Sequence, residues 1–141
     1  MTSTDCAYAA GFFDGEGWVG IAYPKINKSE KRNHRLDVSV GQVDIRPLVW
    51  LVEKFGGRIQ KNPKKCGLSQ RLIYSWRING PSAEAFLVAV RPYLIVKAEQ
   101  ADVALAFRKT IKRQQKGHVT PALIEHRDEL RSKLSLLKRV V

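Results

Sequence analysis

The sequence has almost no cysteine, no long apolar run and, over its first 24 residues, no lysine or arginine. Its two cysteines, Cys6 and Cys66, form no paired spacing, which argues against a zinc ribbon or a disulfide framework. They are expected to be ordinary thiols of a reducing compartment. The apolar runs are too short to span a bilayer, so no membrane segment is expected. Met1 to Cys6 carries no positive charge ahead of an apolar stretch, so no secretory signal is expected. The expectation is an intracellular protein of the cytoplasm or an organelle. His34, His118 and His126 have no ligand spacing and stay outside the chemistry.

What is present is positive charge. Lys and Arg number 25 against 13 Asp and Glu, a net of +12, in 141 residues that suit one domain, 1–141. A hydrophobic fraction of 44% is enough for a globular core. Such a charge favours a polyanion, because each neutralised phosphate releases a counterion. The charge is also unevenly placed. Asp5, Asp14 and Glu16 lie in the segment without basic residues, whereas Lys25, Lys28, Lys31, Arg32 and Arg35 follow within eleven positions. A basic protein that keeps acids in a short apolar segment has a use for them there.

Patterning predicts the elements. Residues from about Ser3 to Phe13 read as a helix, apolar on nearly every side and stopped by Gly11, Gly15 and Gly17. Trp18 to Tyr23 reads as a strand. Leu36, Val38 and Val40 alternate with Arg35, Asp37 and Ser39, the period of a half-buried strand. Asp44 can cap a helix running to about Phe55, stopped by Gly56 and Gly57. Arg58 to Asn62 and Leu72 to Ile78 read as two more strands, with a helix over about 83–91 and further C-terminal helices over about 93–141. The predicted fold is α/β (α+β). It has an αββαββα core, a four-stranded antiparallel sheet curved into a saddle, helices on one face, and added C-terminal helices. The other face is polar and basic, and such a ribbon suits the DNA major groove.

The segment Ala9-Ala10-Gly11-Phe12-Phe13-Asp14-Gly15-Glu16-Gly17 resembles the signature of the LAGLIDADG homing endonucleases. The first Leu is replaced by Ala and the last acid is Glu rather than Asp. Gln42-Val43-Asp44, ahead of Phe55-Gly56-Gly57, resembles the family's Gln-x-Asp segment. Arg91-Pro92-Tyr93-Leu94 through Lys97 to Gln100-Ala101 resembles its Pro-aromatic-Leu-x-x-Lys-x-x-Gln-Ala segment. The resemblance covers about residues 5 to 107 and contains one copy of the motif. It implies a homodimer that cuts both strands of a pseudo-palindromic DNA site. Two half-sites about one helical turn apart make a site of roughly 20 base pairs.

The resemblance also implies roles. Glu16, with the Gly15 carbonyl beside it, would hold Mg2+, and Ca2+ or Mn2+ could substitute in binding. Asp14 would be structural or lie behind the metal ligands. Gln42, Lys97 and Arg46 would organise the water and charge around the scissile phosphate. Ala7, Ala10 and Gly11 are small enough for two motif helices to approach closely at the two-fold axis. Strand alternation makes Arg35, Asp37, Ser39, Gln60, Asn62, Arg71, Ser75 and Arg77 candidate base readers, with Trp18 on the outward parity. Lys28, Lys31 and Arg32 suit phosphates. The alternative is a non-cleaving DNA or RNA binder on the same fold, such as an intron-splicing maturase with intron RNA as partner.

Overall fold

The computed structural model describes residues 1–25, 32–62, 72–112 and 119–139. Helix α1 (Ser3–Glu16) leads into strands β1 (Gly17–Ala22) and β2 (Arg35–Gln42). Helix α2 (Arg46–Phe55), strands β3 (Arg58–Asn62) and β4 (Ile73–Asn79) and helix α3 (Gly80–Val90) follow. A 3-10 turn (Arg91–Tyr93) precedes α4 (Ala98–Lys112) and α5 (Pro121–Arg139). The predicted αββαββα order and four-stranded antiparallel sheet are both present, in the strand order β1-β2-β4-β3. No described helix is long and apolar enough to cross a membrane.

Local chemistry sets the boundaries. Thr2 and Asp5 form a capping box at the start of α1, each side chain accepting the other's backbone N–H. The helix runs past Phe13 to Glu16, so the motif acids lie in its last turn rather than in a loop. Asp44 is not the N-cap of α2, a position held by Ile45, yet its carboxylate accepts the Arg46 N–H at 3.0 Å. Beyond α2, Gly57 takes a φ of +91° and passes so close to β4 that a Cβ would lie 2.8 Å from the Arg77 carbonyl. Only glycine fits this turn. Thr120 caps α5, its hydroxyl accepting the Leu123 N–H.

The sheet has a dry face and a bare one. Val19, Ile21, Leu36, Val38, Val40, Trp76 and Ile78 point to one side and are buried beneath the helices. Phe86 of α3 is the hub of that layer, meeting Phe13 of α1, Phe55 of α2 and Trp76 of β4 edge to face at 4.8–5.2 Å. Trp76 is sealed in with its indole N–H satisfied by the Gly56 carbonyl at 2.8 Å. Truncating Phe86 to Ala would cost about 3–5 kcal/mol by cavity formation.

Helix α5 is fastened at two points. Arg127 is buried and donates to the Thr110 hydroxyl and carbonyl on α4. Asp128 meets the buried His34 imidazole at 2.8 Å, and that ring stacks on Tyr23 at 4.2 Å. The leucine stripe of α5 is core: Leu134 is buried, and Leu130 and Leu137 pack against the cluster.

Candidate nucleic-acid interface and catalytic centre

The end of α1 and the turn before α4 are locked together. Both oxygens of the Asp14 carboxylate are occupied, one accepting the Ile95 N–H at 2.8 Å and the other the Lys97 N–H at 3.0 Å. The Lys97 ammonium donates to the Asp14 carbonyl at 2.6 Å. That carbonyl lies in the last turn of α1, where backbone acceptors lack intrahelical donors and a cation is favourable. The helix expected from about residue 93 starts later, because Asp14 takes the amides of residues 95 and 97 and α4 begins only at Ala98.

Glu16 differs from Asp14 in a decisive way. It is exposed, and no side chain among the described residues pairs with its carboxylate. Nor do three metal-ligating side chains cluster anywhere among the described residues. One chain thus offers a single uncommitted carboxylate beside the helix-end carbonyls.

Gln42 reaches the same end of the sheet. The register pairs Val40 with Gly17, so the last residues of β2 run past the end of α1. In the chain alone its side-chain oxygen accepts the Val43 N–H at 2.9 Å. Arg46 is bound to Asp44, and the guanidinium holds that carboxyl down to about 2.

Helix α1 shows two faces. Ala9, Ala10 and Phe13 are buried against the core, whereas Thr4, Ala7, Tyr8, Gly11 and Gly15 lie on the exposed side. Ala10 is 0% exposed, which corrects its expected place in a dimer contact. At 100° per residue it lies 60° from both Ala7 and Phe13, and packing turns it inward with Phe13 while Ala7 and Gly11 stay exposed. Tyr8 is 52% exposed and braced edge-on by Trp50 of α2 at 4.8 Å. Ala7, Gly11 and Gly15 make the bare side of α1 small apart from Tyr8, and the clamped turn at its end leaves Ile95 and Val96 exposed.

The outer face of the sheet is assembled by register. Trp18 lies beside Ser39, Ser39 beside Arg77 and Arg77 beside Arg58. Asp37 lies beside Asn79, and Gln60 beside Ser75. These side chains surround a concavity lined by Trp18, Arg35, Asp37, Ser39, Arg58, Arg77 and Asn79, with a volume of about 380 Å³. Arg35 is held by Asp37 at 2.6 Å, which raises its pKa and fixes its fork. Ser75 occupies the expected face but is buried, its hydroxyl accepting the Asn62 amide at 2.9 Å. It positions Asn62 and does not itself reach outward. Arg32 sits over Tyr23 at 5.8 Å. Lys28, Lys31 and Arg71 lie outside the described residues.

No protein-family model and no curated protein matches the sequence. Solved structures do match the shape. The homing endonuclease I-CvuI in complex with its DNA target superposes with a TM-score of 0.77, over 99% of this chain and 85% of that one, at 21% identity. The archaeal intron-encoded homing endonuclease I-Vdi141I, complexed with DNA, gives 0.76 over 98% and 86%, at 17% identity. The chain has the LAGLIDADG homing endonuclease fold. The homing endonuclease I-TnaI gives 0.69 over 99% of this chain and 95% of that one, at 19% identity. The LAGLIDADG homing endonuclease I-GzeII gives a TM-score of 0.72 at 18% identity, over 93% of this chain and 45% of that one.

Three features of this homing endonuclease fold escaped the sequence reading. Arg58 has the same strand parity as Gln60 and Asn62, which alternation could have revealed. Asn79 lies one residue beyond the strand expected over Leu72 to Ile78, yet pairs with Asp37 inside the sheet. The His34–Asp128 contact spans 94 residues and leaves no local pattern to find.

Proposed function

We propose that the chain is a magnesium-dependent, site-specific DNA endonuclease that cuts both strands of a long target as a homodimer. The observation that carries this reading is the contrast between the two motif acids. Asp14 is spent on positioning the 94–97 turn, whereas Glu16 is exposed and has no partner among the described residues, at the end of a helix whose outer face carries Ala7, Gly11 and Gly15. A second copy apposed along that face would bring a second Glu16 nearby. Two carboxylates beside two negative helix ends repel unless a cation lies with them. One carboxylate with backbone carbonyls is a hard, incomplete oxygen donor set, which fits magnesium completed by water and substrate phosphate.

Glu16 and the Gly15 carbonyl would hold the ion. When bound, it supplies polarisation of the scissile phosphate and a water of lowered pKa. The remaining work falls to the chain. Gln42 orients water at the end of β2. Lys97, fixed by the Asp14 carbonyl, stabilises charge growing on the phosphate without having to reorganise. Arg46 joins them on leaving Asp44, a weaker contribution because that pair must first break.

The outer sheet face would read the half-site, with Arg35, Arg58 and Arg77 suited to guanine and Gln60, Asn62 and Asn79 to adenine. Strand β2 has eight residues and extends about 26 Å, the axial rise of about eight base pairs. That I-CvuI and I-Vdi141I are seen in complex with DNA supports DNA as the ligand, and the match of this chain to 45% of the I-GzeII chain supports pairing of two such units. The test is selection from a randomised duplex library with and without magnesium. One preferred cut site, seen only with magnesium, is expected. Retention of one preferred duplex without scission would favour a non-cleaving binder.

A further inference from the structure

Trp18 is an apolar side chain in a polar row. Ser39, Arg77 and Arg58 follow it across the outer face of the sheet, one strand at a time. The indole forms one wall of the concavity on that face and is 45% exposed. A ring of this size left in water forgoes hydrophobic free energy that a ligand covering it would supply.

The ring is seated from two sides. It reaches along β1 to Gly20, where a Cβ would come 2.3 Å from the indole Cη2, so glycine leaves the space that the ring fills. The ammonium of Lys138, in the last turn of α5, sits over the indole at 4.3 Å. Helix α5 packs on β1, an edge strand, and is fastened by Arg127 to Thr110 and by Asp128 to His34. Two elements far apart in sequence thus hold one indole in one orientation. Gly20 lies four residues beyond Glu16, two of the steps being the strand rise from Trp18, about 7 Å or roughly two base pairs. Base edges in the major groove carry hydrogen-bond donors and acceptors and one apolar group, the 5-methyl of thymine. An indole face offers nothing to the former and favours the latter.

We propose that Trp18, seated over Gly20 and beneath Lys138, is a specificity-determining residue that recognises the 5-methyl group of one thymine in the inner part of each half-site. The proposal rests on the reading that DNA lies against the outer sheet face. It makes Gly20 and Lys138 positioning residues, acting on the DNA through the indole. It also gives α5 a part in specificity although the helix packs on the other side of the sheet.

The test is removal of single methyl groups from the DNA. A duplex selected for binding to the wild-type chain in calcium is remade with each thymine replaced in turn by uracil, which lacks only the 5-methyl. At one thymine per half-site the change should weaken wild-type binding about fourfold, the worth of one buried methyl group. At that thymine the penalty should fall to near unity in Trp18→Ser and in Gly20→Ala, which displaces the ring without removing it. It should persist in Trp18→Phe and in Lys109→Met on the helical side. Both disruptive variants leave the buried Val19 and Ile21 untouched, and an unchanged melting temperature confirms folding. No methyl group sensed by the wild type, or a penalty undiminished in Trp18→Ser and Gly20→Ala, would overturn the thymine reading while leaving the endonuclease reading intact. Failure of the wild-type chain to select any duplex would overturn both.

Discussion

Gly11 separates the stability of one chain from the pairing of two. It lies in the middle of α1 on the bare side, and a Cβ built there meets nothing within 4 Å. Glycine in a helix interior costs about 0.5–1 kcal/mol relative to alanine through backbone entropy. Gly11→Ala should therefore stabilise the isolated chain by that amount, raising its melting point by roughly 2–4 °C for a chain of this size. If α1 helices pack against each other through Ala7 and Gly11, the same methyl intrudes between backbones, and Gly11→Leu intrudes further. Sedimentation should show Gly11→Leu as a monomer at concentrations where the wild type is a dimer, with DNA cleavage lost. The wild-type melting point should rise with protein concentration, and that of Gly11→Leu should not. A dimer that tolerates Gly11→Leu, or a wild type monomeric at every concentration, refutes the helix-to-helix pairing.

Three further outcomes follow from the same structure. His34→Ala removes the partner of Asp128 and the stack on Tyr23, and should cost about 1–3 kcal/mol in denaturant unfolding; a change within error would show that α5 is not fastened there. Arg46 holds the Asp44 carboxyl down to about 2, below its unfolded value of about 3.9. The pair's contribution is then full above the unfolded value and is lost as pH falls through the folded one, so a side-chain NMR titration should find the Asp44 midpoint near 2 rather than 4. Arg77→Ala should relax base preference at one position of the selected site by about 1–3 kcal/mol without changing which phosphates are contacted; a uniform loss across sequences would assign Arg77 to the backbone instead.

Most of the sheet was legible in the sequence because its period is short and unambiguous. Leu36, Val38 and Val40 go inward and Arg35, Asp37 and Ser39 outward, since a one-residue slip would turn every side chain over. Helix α1 was legible as an element but not in its orientation. It is apolar all round, so its composition could not tell the buried Ala10 from the exposed Ala7 and Gly11. Residue type and spacing alone did not separate the two motif acids, two residues apart in one turn; only the family resemblance gave them different roles. What distinguishes them comes from the 94–97 turn, more than 80 residues away, whose amides take Asp14 and leave Glu16. Lys138 illustrates the same limit: on α5 it reads as one surface lysine among many, until folding sets it on Trp18.

The most direct measurement is single-turnover scission of a selected duplex by the wild-type chain and by Glu16→Gln, each with magnesium, alongside duplex binding in calcium. The account predicts that Glu16→Gln binds the duplex as the wild type does and makes no cut. Undiminished scission by Glu16→Gln would contradict it.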